Sequence, residues 1–320
     1  MTRKASPRST ARPQAAQSVA GEEDPGAALD DAPAATEPRV LLDGLAMVES
    51  PRWHDGRLWF PQWGTPQIIA LDLDGRSQVV AEGPAGLGHS IGWLPDGRML
   101  VTGHQLTRHE PDGLTLVHAD LSRITPHAWS EMTIDGRGNI YVTSIGFHFS
   151  EMPERAKDPS RSALGVIALV TADGAARQVA GEIAFPNGMV VTPDNRTLIV
   201  AESFTGRLLA FDIADDGSLS GRRVWAEGVA PDGICLDADG AIWTSTPHNE
   251  CVRVAEGGQI LDRIALDRAC FATMLGGPDR RTLFIMANRF LGVDHFDAML
   301  AKRSGQVLVV GAPAPGAGWP

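Results

Sequence analysis

Six polar residues each lead a short apolar run in a recurring pattern: Glu49, His89, Ser130, Asn187, Asp232 and Thr273. Two carboxylates and a carboxamide among them are hard oxygen donors, and no thiolate shares the position. Such a set suits Ca²⁺, Mg²⁺ or Mn²⁺ rather than structural zinc. A divalent cation held there would polarise a carbonyl and lower the pKa of an attacking water. Asp232 could both bind the ion and steer that water. His89 is the alternative base, because imidazole titrates near neutral pH.

Residues so far apart in the chain meet only if a repeated element brings them together. The apolar runs that follow them form one: "RLWF" (57–60), "RMLV" (98–101), "NIYV" (139–142), "TLIV" (197–200), "AIWT" (241–244) and "TLFI" (282–285). Measured from Leu58 through Met99, Ile140, Leu198 and Ile242 to Leu283, the intervals are 41, 41, 58, 44 and 41. A period near 40 with strand-type runs and Asp-Gly turns marks an all-β, six-bladed β-propeller, one four-stranded blade per repeat. Further hairpin turns, "LDLDG" (71–75), "EPDG" (110–113), "TADG" (171–174) and "ADDG" (214–217), fall between these units. "GQVLVV" (305–310) and "RVLL" (39–42) are the strands expected to share the last blade and close the ring.

The first strand of a propeller blade is innermost, so the six leading residues are expected to ring a central, metal-binding channel at one height. The glycines after Asn187 and Asp232 are expected to let the backbone turn tightly at its rim. Residues just past each second strand then surround the mouth: Trp63, His104, Ile145 to His148, Glu202, Thr246 to His248, and Asn288-Arg289. Among them His104, His148 and His248 are candidates for substrate contact. The long interval contains a polar insertion, 146–162, which reads equally as a lid or as a neutral surface loop.

Composition limits the function classes. The chain has 320 residues, 43% of them hydrophobic, and a net charge of −11, which argues against a nucleic-acid or anionic-membrane surface. Cys235, Cys251 and Cys270 lack any CxxC spacing and fit buried thiols of a reduced, cytoplasmic protein. No apolar run approaches the roughly 18 residues of a membrane span. Residues 1–38 are rich in Ala, Pro, Ser and charge and lack a signal-peptide core, so a disordered tail is expected ahead of a propeller over 39–320.

The segments "ESPRW", "PNGMVVTPDNRTLIVAES" and "PDGICLDADGAIW" resemble the metal-binding motifs of the regucalcin/gluconolactonase/luciferin-regenerating-enzyme (senescence marker protein) family. The resemblance runs over roughly 40–310. It implies one divalent cation, calcium first with Mg, Mn, Zn or Fe as alternatives, held by Glu49, Asn187 and Asp232. It also implies a gluconolactonase-like hydrolase of a lactone or related small ester. A phosphorus-ester hydrolase on the same site and a non-catalytic calcium- or ligand-binding propeller are the alternatives. A related family of calcium-dependent propeller lactonases has a histidine near the place of His89. The family commonly has Asn-Asp where this chain has Ser130-Glu131, so Ser130 or Glu131 would take over that asparagine's substrate-side role. Ala128 stands where the family has a sugar-contacting arginine. A less polar or larger lactone is therefore expected, admitted past Phe147, Phe149 and Trp129.

Overall fold

The computed structural model describes residues 37–319 except 85, 87 and 159–163. The expected tail lies outside the described residues as far as position 36. Six antiparallel sheets follow one another around a ring. Blade I runs from Met47–Val48 and Arg52–His54 through Arg57–Trp63 and Gln67–Leu71 to Ser77–Glu82. Blade II holds Ile91–Trp93, Met99–Val101, Leu106–His109 and Thr115–Ala119. Blade III holds Met132–Ile134, Ile140–Ser144, Gly165–Val170 and Ala176–Ile183. Blade IV holds Pro186–Val191, Thr197–Glu202, Arg207–Ile213 and Leu219–Glu227. Blade V holds Cys235–Asp237, Ile242–Ser245, Glu250–Val254 and Ile260–Ala265.

Blade VI closes the ring as expected. Ala269–Gly276, Thr282–Asn288 and Gly305–Gly311 are joined by the N-terminal Arg39–Leu45, with Arg39 opposite Val309 and Leu45 opposite Gly305. Each second strand is buried on both faces between neighbouring blades, which is why "TLIV" and "TLFI" read as unbroken apolar runs. Fourth strands such as Thr115–Ala119 face solvent and carry the exposed residues Leu116 and Val117.

The repeated Asp-centred turns have a common cause. Asp96, Asp112, Asp194, Asp216 and Asp279 each accept from the backbone N–H two residues on, at 2.9–3.1 Å. The next position in these turns must take a positive φ, filled by Gly97, Gly113 and Gly217 and, in the "PDN" turn, by Asn195 at φ 57°.

Gly188 and Gly233 do not serve the turn expected of them. Neither has a positive φ. A Cβ on Gly188 would lie 2.7 Å from the Asp232 carbonyl oxygen, and one on Gly233 would lie 2.3 Å from the Ala272 Cβ. These glycines let adjacent inner strands touch. The C-terminus adds an unexpected strap on the far face. Gly316–Ala317 pairs with Leu236 and Asp237, and Trp319 exchanges two 2.9 Å backbone hydrogen bonds with Val191.

Candidate functional site

Asn187 and Asp232 head the inner strands of blades IV and V. Gly188 N–H donates to the Asp232 carbonyl at 3.1 Å, so the two positions sit side by side. The Asn187 amide Nδ2 donates to Asp232 Oδ1 and, at 3.4 Å, to Ser203 Oγ. Ser203 is itself fixed by donating to the Pro231 carbonyl at 2.6 Å. With its nitrogen so used, Asn187 has an Oδ1 that accepts no hydrogen bond among the described residues.

Glu49, heading blade I, is 2% exposed, and among the described residues its carboxylate accepts only from Ser50 N–H at 3.3 Å. Burial and the charges of Asp232 and Glu131 push its pKa well above the ordinary carboxylate range. The same causes, burial first and then Glu131, push Asp232 up to about 8, against the lowering effect of its bond from Asn187. Three acids thus converge electrostatically at the head of the channel.

Glu131 is the member with a cationic partner. Ser50 Oγ donates to its Oε1, and the Arg52 guanidinium stands 3.6 Å from its Oε2. Arg52 is buried and held by the Pro51 carbonyl at 2.9 Å, the Met132 carbonyl at 2.6 Å and Ser90 Oγ at 3.1 Å. It therefore ties blades I, II and III together beneath the acids. Arg52 and Ser50 lay inside the quoted "ESPRW", but a motif read for its glutamate gave no sign that its arginine binds an acid two blades away. Ser50 also takes a left-handed φ of 47°, for which the sequence offers no glycine signal.

The other candidates fall in different places. Ser130 lies at the ring with its hydroxyl 3.4 Å from the Thr143 carbonyl and hydroxyl oxygens. His89 is 1% exposed, and its ring lies against Gly83, whose added Cβ would be 3.0 Å from Nε2. Neither imidazole nitrogen has a hydrogen-bond partner among the described residues, and burial lowers the pKa to about 4. No bond joins His89 to the three acids. His104, His148 and His248 are exposed; His148 caps a short 3-10 turn, Phe149–Glu151, through Ser150.

Two expectations are corrected. Thr273 does not lead the sixth inner strand: it sits mid-strand opposite Ile285 and donates to the Trp243 carbonyl at 3.0 Å. The hairpin turn between Leu275 and its partner Leu283 is two residues longer than that between Leu236 and Ile242, which moves the ring position back to Phe271. Phe271 accepts from Gly233 N–H at 2.8 Å as Asp232 accepts from Gly188. Trp129 does not line the mouth either. It is fully buried with Leu100, Leu106 and Met132, because its backbone N–H pairs with the Gly103 carbonyl and turns the side chain into the core between blades II and III.

Whether this donor set fits a divalent cation is a question of charge and free lone pairs. Glu49 and Asp232 carry no arginine or lysine partner among the described residues, and Asn187 Oδ1 is free. A buried and a half-buried carboxylate, neither met by a cationic side chain, beside an open amide oxygen fit a hard cation.

Comparison with known proteins places this geometry in context. Residues 47–289 match the SMP-30/gluconolactonase/LRE-like region. The chain is 29% identical over 133 residues to 6-deoxy-6-sulfogluconolactonase of Pseudomonas putida, covering 39% of this chain and 45% of that protein. It is 27% identical over 168 residues to diisopropyl-fluorophosphatase of Loligo vulgaris, covering 49% and 52% respectively. The chain thus spans about half the length of these curated relatives. A luciferin-regenerating enzyme has the same fold, with a TM-score of 0.73 at 17% identity over 88% of this chain and 98% of the other. So does a calcium-binding protein, regucalcin, from Agrobacterium tumefaciens, with a TM-score of 0.68 at 21% identity over 88% and 97%. No helix among the described residues is long and apolar enough to cross a membrane. With six blades and a family match that spans residues 47–289, the chain belongs to the SMP-30/gluconolactonase/LRE-like family.

Proposed function

We propose that the protein is a divalent-metal-dependent hydrolase of a lactone or related small ester. The observation that carries this reading is the gathering of Glu49, Asp232 and Asn187 at one channel head, where two carboxylates lack a cationic side chain. Glu49, Asn187 and Asp232 would hold the ion, with calcium the first choice because every donor is a hard oxygen. When bound, the cation supplies Lewis-acid polarisation of the substrate carbonyl and a water of lowered pKa.

The chain's own residues do the rest. Asn187 fixes the Asp232 carboxylate by its Nδ2 bond, so the second carboxylate oxygen can accept a proton from the attacking water. Asp232 is preferred to His89 for this role because the His89 ring is packed against Gly83. Arg52 and Ser50 hold Glu131 aside and keep the floor of the site rigid. Ser130 offers a hydroxyl to the substrate, while Ala128 offers no cation for a sugar's oxygens. His104, His148 and His248, at the mouth, serve substrate contact rather than chemistry. The free, buried thiols support the cytoplasmic setting.

The similarity to diisopropyl-fluorophosphatase favours a second reading, hydrolysis of a phosphorus ester at the same acids. The test is metal-stripped protein assayed on lactones and on phosphorus esters, with each divalent ion restored in turn. Ion-dependent lactone turnover supports the first reading, and turnover of phosphorus esters alone supports the second. An inactive protein that binds calcium would support the non-catalytic alternative.

A further inference from the structure

The mouth carries an aromatic surface that the acids do not explain. Phe271 occupies the ring position next to Asp232, and its ring packs edge-on against Phe290 at 5.9 Å. Phe290 follows the second strand of blade VI, so it lies on the mouth side, and it is 49% exposed. From the same loop, the helix Phe296–Lys302 places Leu300 against Gly64 of blade I and buries Met299.

The insertion after blade III meets this loop. Phe149 packs edge-on against Phe296 with ring centroids 5.2 Å apart. Lys157 and Asp294 also interact electrostatically. Blades III and VI stand opposite one another in a six-membered ring, so a contact between their mouth loops must pass over the channel. Phe147, beneath Phe149, is buried against Phe185 and Phe204 and lies under the Arg155 guanidinium at 5.4 Å, which anchors the insertion to blade IV. Positions 159–162 of the insertion lie outside the described residues.

We infer that Phe271, Phe290, Phe149 and Phe296 form an apolar subsite, and that the substrate is a lactone bearing an aliphatic or aryl substituent. This deepens the proposed function and rests on it. The lactone ring would sit at Asp232 and its substituent would run along Phe271 and Phe290 toward the roof. There it would replace the contact between Phe149 and Phe296. A sugar lactone has no apolar group for this wall, and Phe271 offers its hydroxyls no hydrogen bond.

The experiment measures kcat/KM for δ-lactones of increasing alkyl chain length, with gluconolactone alongside, on the metal-loaded parent and on Phe290→Ala and Phe149→Ala/Phe296→Ala. In the parent, kcat/KM is expected to rise roughly two- to fourfold per methylene until the chain reaches the roof. In both variants that slope should flatten. A parent with no chain-length dependence, or one that prefers gluconolactone, overturns the subsite and leaves the lactonase reading standing. Absence of turnover on every lactone with every ion overturns the lactonase reading and the subsite together. If a variant fails to fold, inhibition of the unmodified protein by alkyl-substituted lactams decides the matter: potency that does not rise with chain length contradicts the inference.

Discussion

On blade V, Asp237, Asp239 and Asp262 converge on the single guanidinium of Arg253, at 2.6, 2.6 and 3.4 Å. The buried Asp237 also accepts the backbone N–H groups of Asp239 and Ala241, each at 3.0 Å. At the channel head, Glu49, Glu131 and Asp232 converge on no shared cationic side chain among the described residues, where Arg52 reaches Glu131 alone. Both clusters hold three acids beside one arginine. In the first the charge is met by the protein, and burial leads to a rigid hairpin. In the second, two carboxylates are left to a proton or a metal. A buried acid is therefore no sign of a site until its partners are known, and Glu202 shows the same from the mouth side. It is buried like Glu49, yet is clamped by Arg207 at 2.6 Å and Arg222 at 3.2 Å.

The largest expected effect separates the two clusters by function. Asp232→Ala should lower lactone turnover by more than the roughly 10–100-fold that accompanies loss of a metal's outer partner, while the melting temperature of the metal-free protein holds or rises. A variant with parental turnover would remove Asp232 from the site. Arg253→Ala is the converse. It strands Asp237 without its cation and should cost about 3–5 kcal/mol of stability by denaturant titration. Its folded fraction should still bind metal, and a loss of metal binding without a loss of stability would erase the distinction drawn here.

A third effect uses pH. Asp232 is ordinarily ionised above about pH 4 in the unfolded chain, but in the folded, metal-free protein its pKa is near 8. Below the lower value the carboxyl is protonated in both states. Between the two values only the unfolded state releases the proton, so stability falls as pH rises and levels off above about 8. Metal-free protein should thus melt lower at about pH 8.5 than at about pH 5.5, and added calcium should raise the melting temperature more at the higher pH. Equal calcium-induced shifts at both pH values would mean that Asp232 is not where the ion binds.

How much of this was legible beforehand follows from how local the cause is. Glu49, Asn187 and Asp232 stand out because strand, turn and strand repeat around them at nearly the same offset, and a polar residue heading an apolar run is a local anomaly. Phe271 is hidden by a hairpin turn two residues longer than that of blade V, so counting back from Leu283 by the blade V interval reaches Thr273 instead. Trp129 reads as a mouth residue because position along the chain gives the face of the ring but not the direction of a side chain at a strand's edge. The contacts of Phe149 with Phe296 and of Arg52 with Glu131 join blades far apart in sequence, and no periodicity encodes them.

Smaller effects sharpen the picture. Ser130→Asn should retain metal binding and move the ranking of substrates toward sugar lactones, because a longer amide reaches further into the channel than the Ser130 hydroxyl. An unchanged ranking would take Ser130 out of substrate selection. Deleting residues 1–36 should change neither melting temperature nor turnover, and a drop of several degrees would show that the segment docks on a blade.

The central claim is that the protein leaves two channel carboxylates for one hard cation. Isothermal calorimetry of calcium into metal-stripped protein, with Asn187→Ala and Glu49→Gln beside the parent, tests it most directly. The account predicts one ion per chain for the parent, release of protons on binding near pH 7, and affinity at least about tenfold weaker in each variant. Parental affinity in both variants, or no binding of calcium or of magnesium, manganese, zinc or iron by the parent, would contradict it.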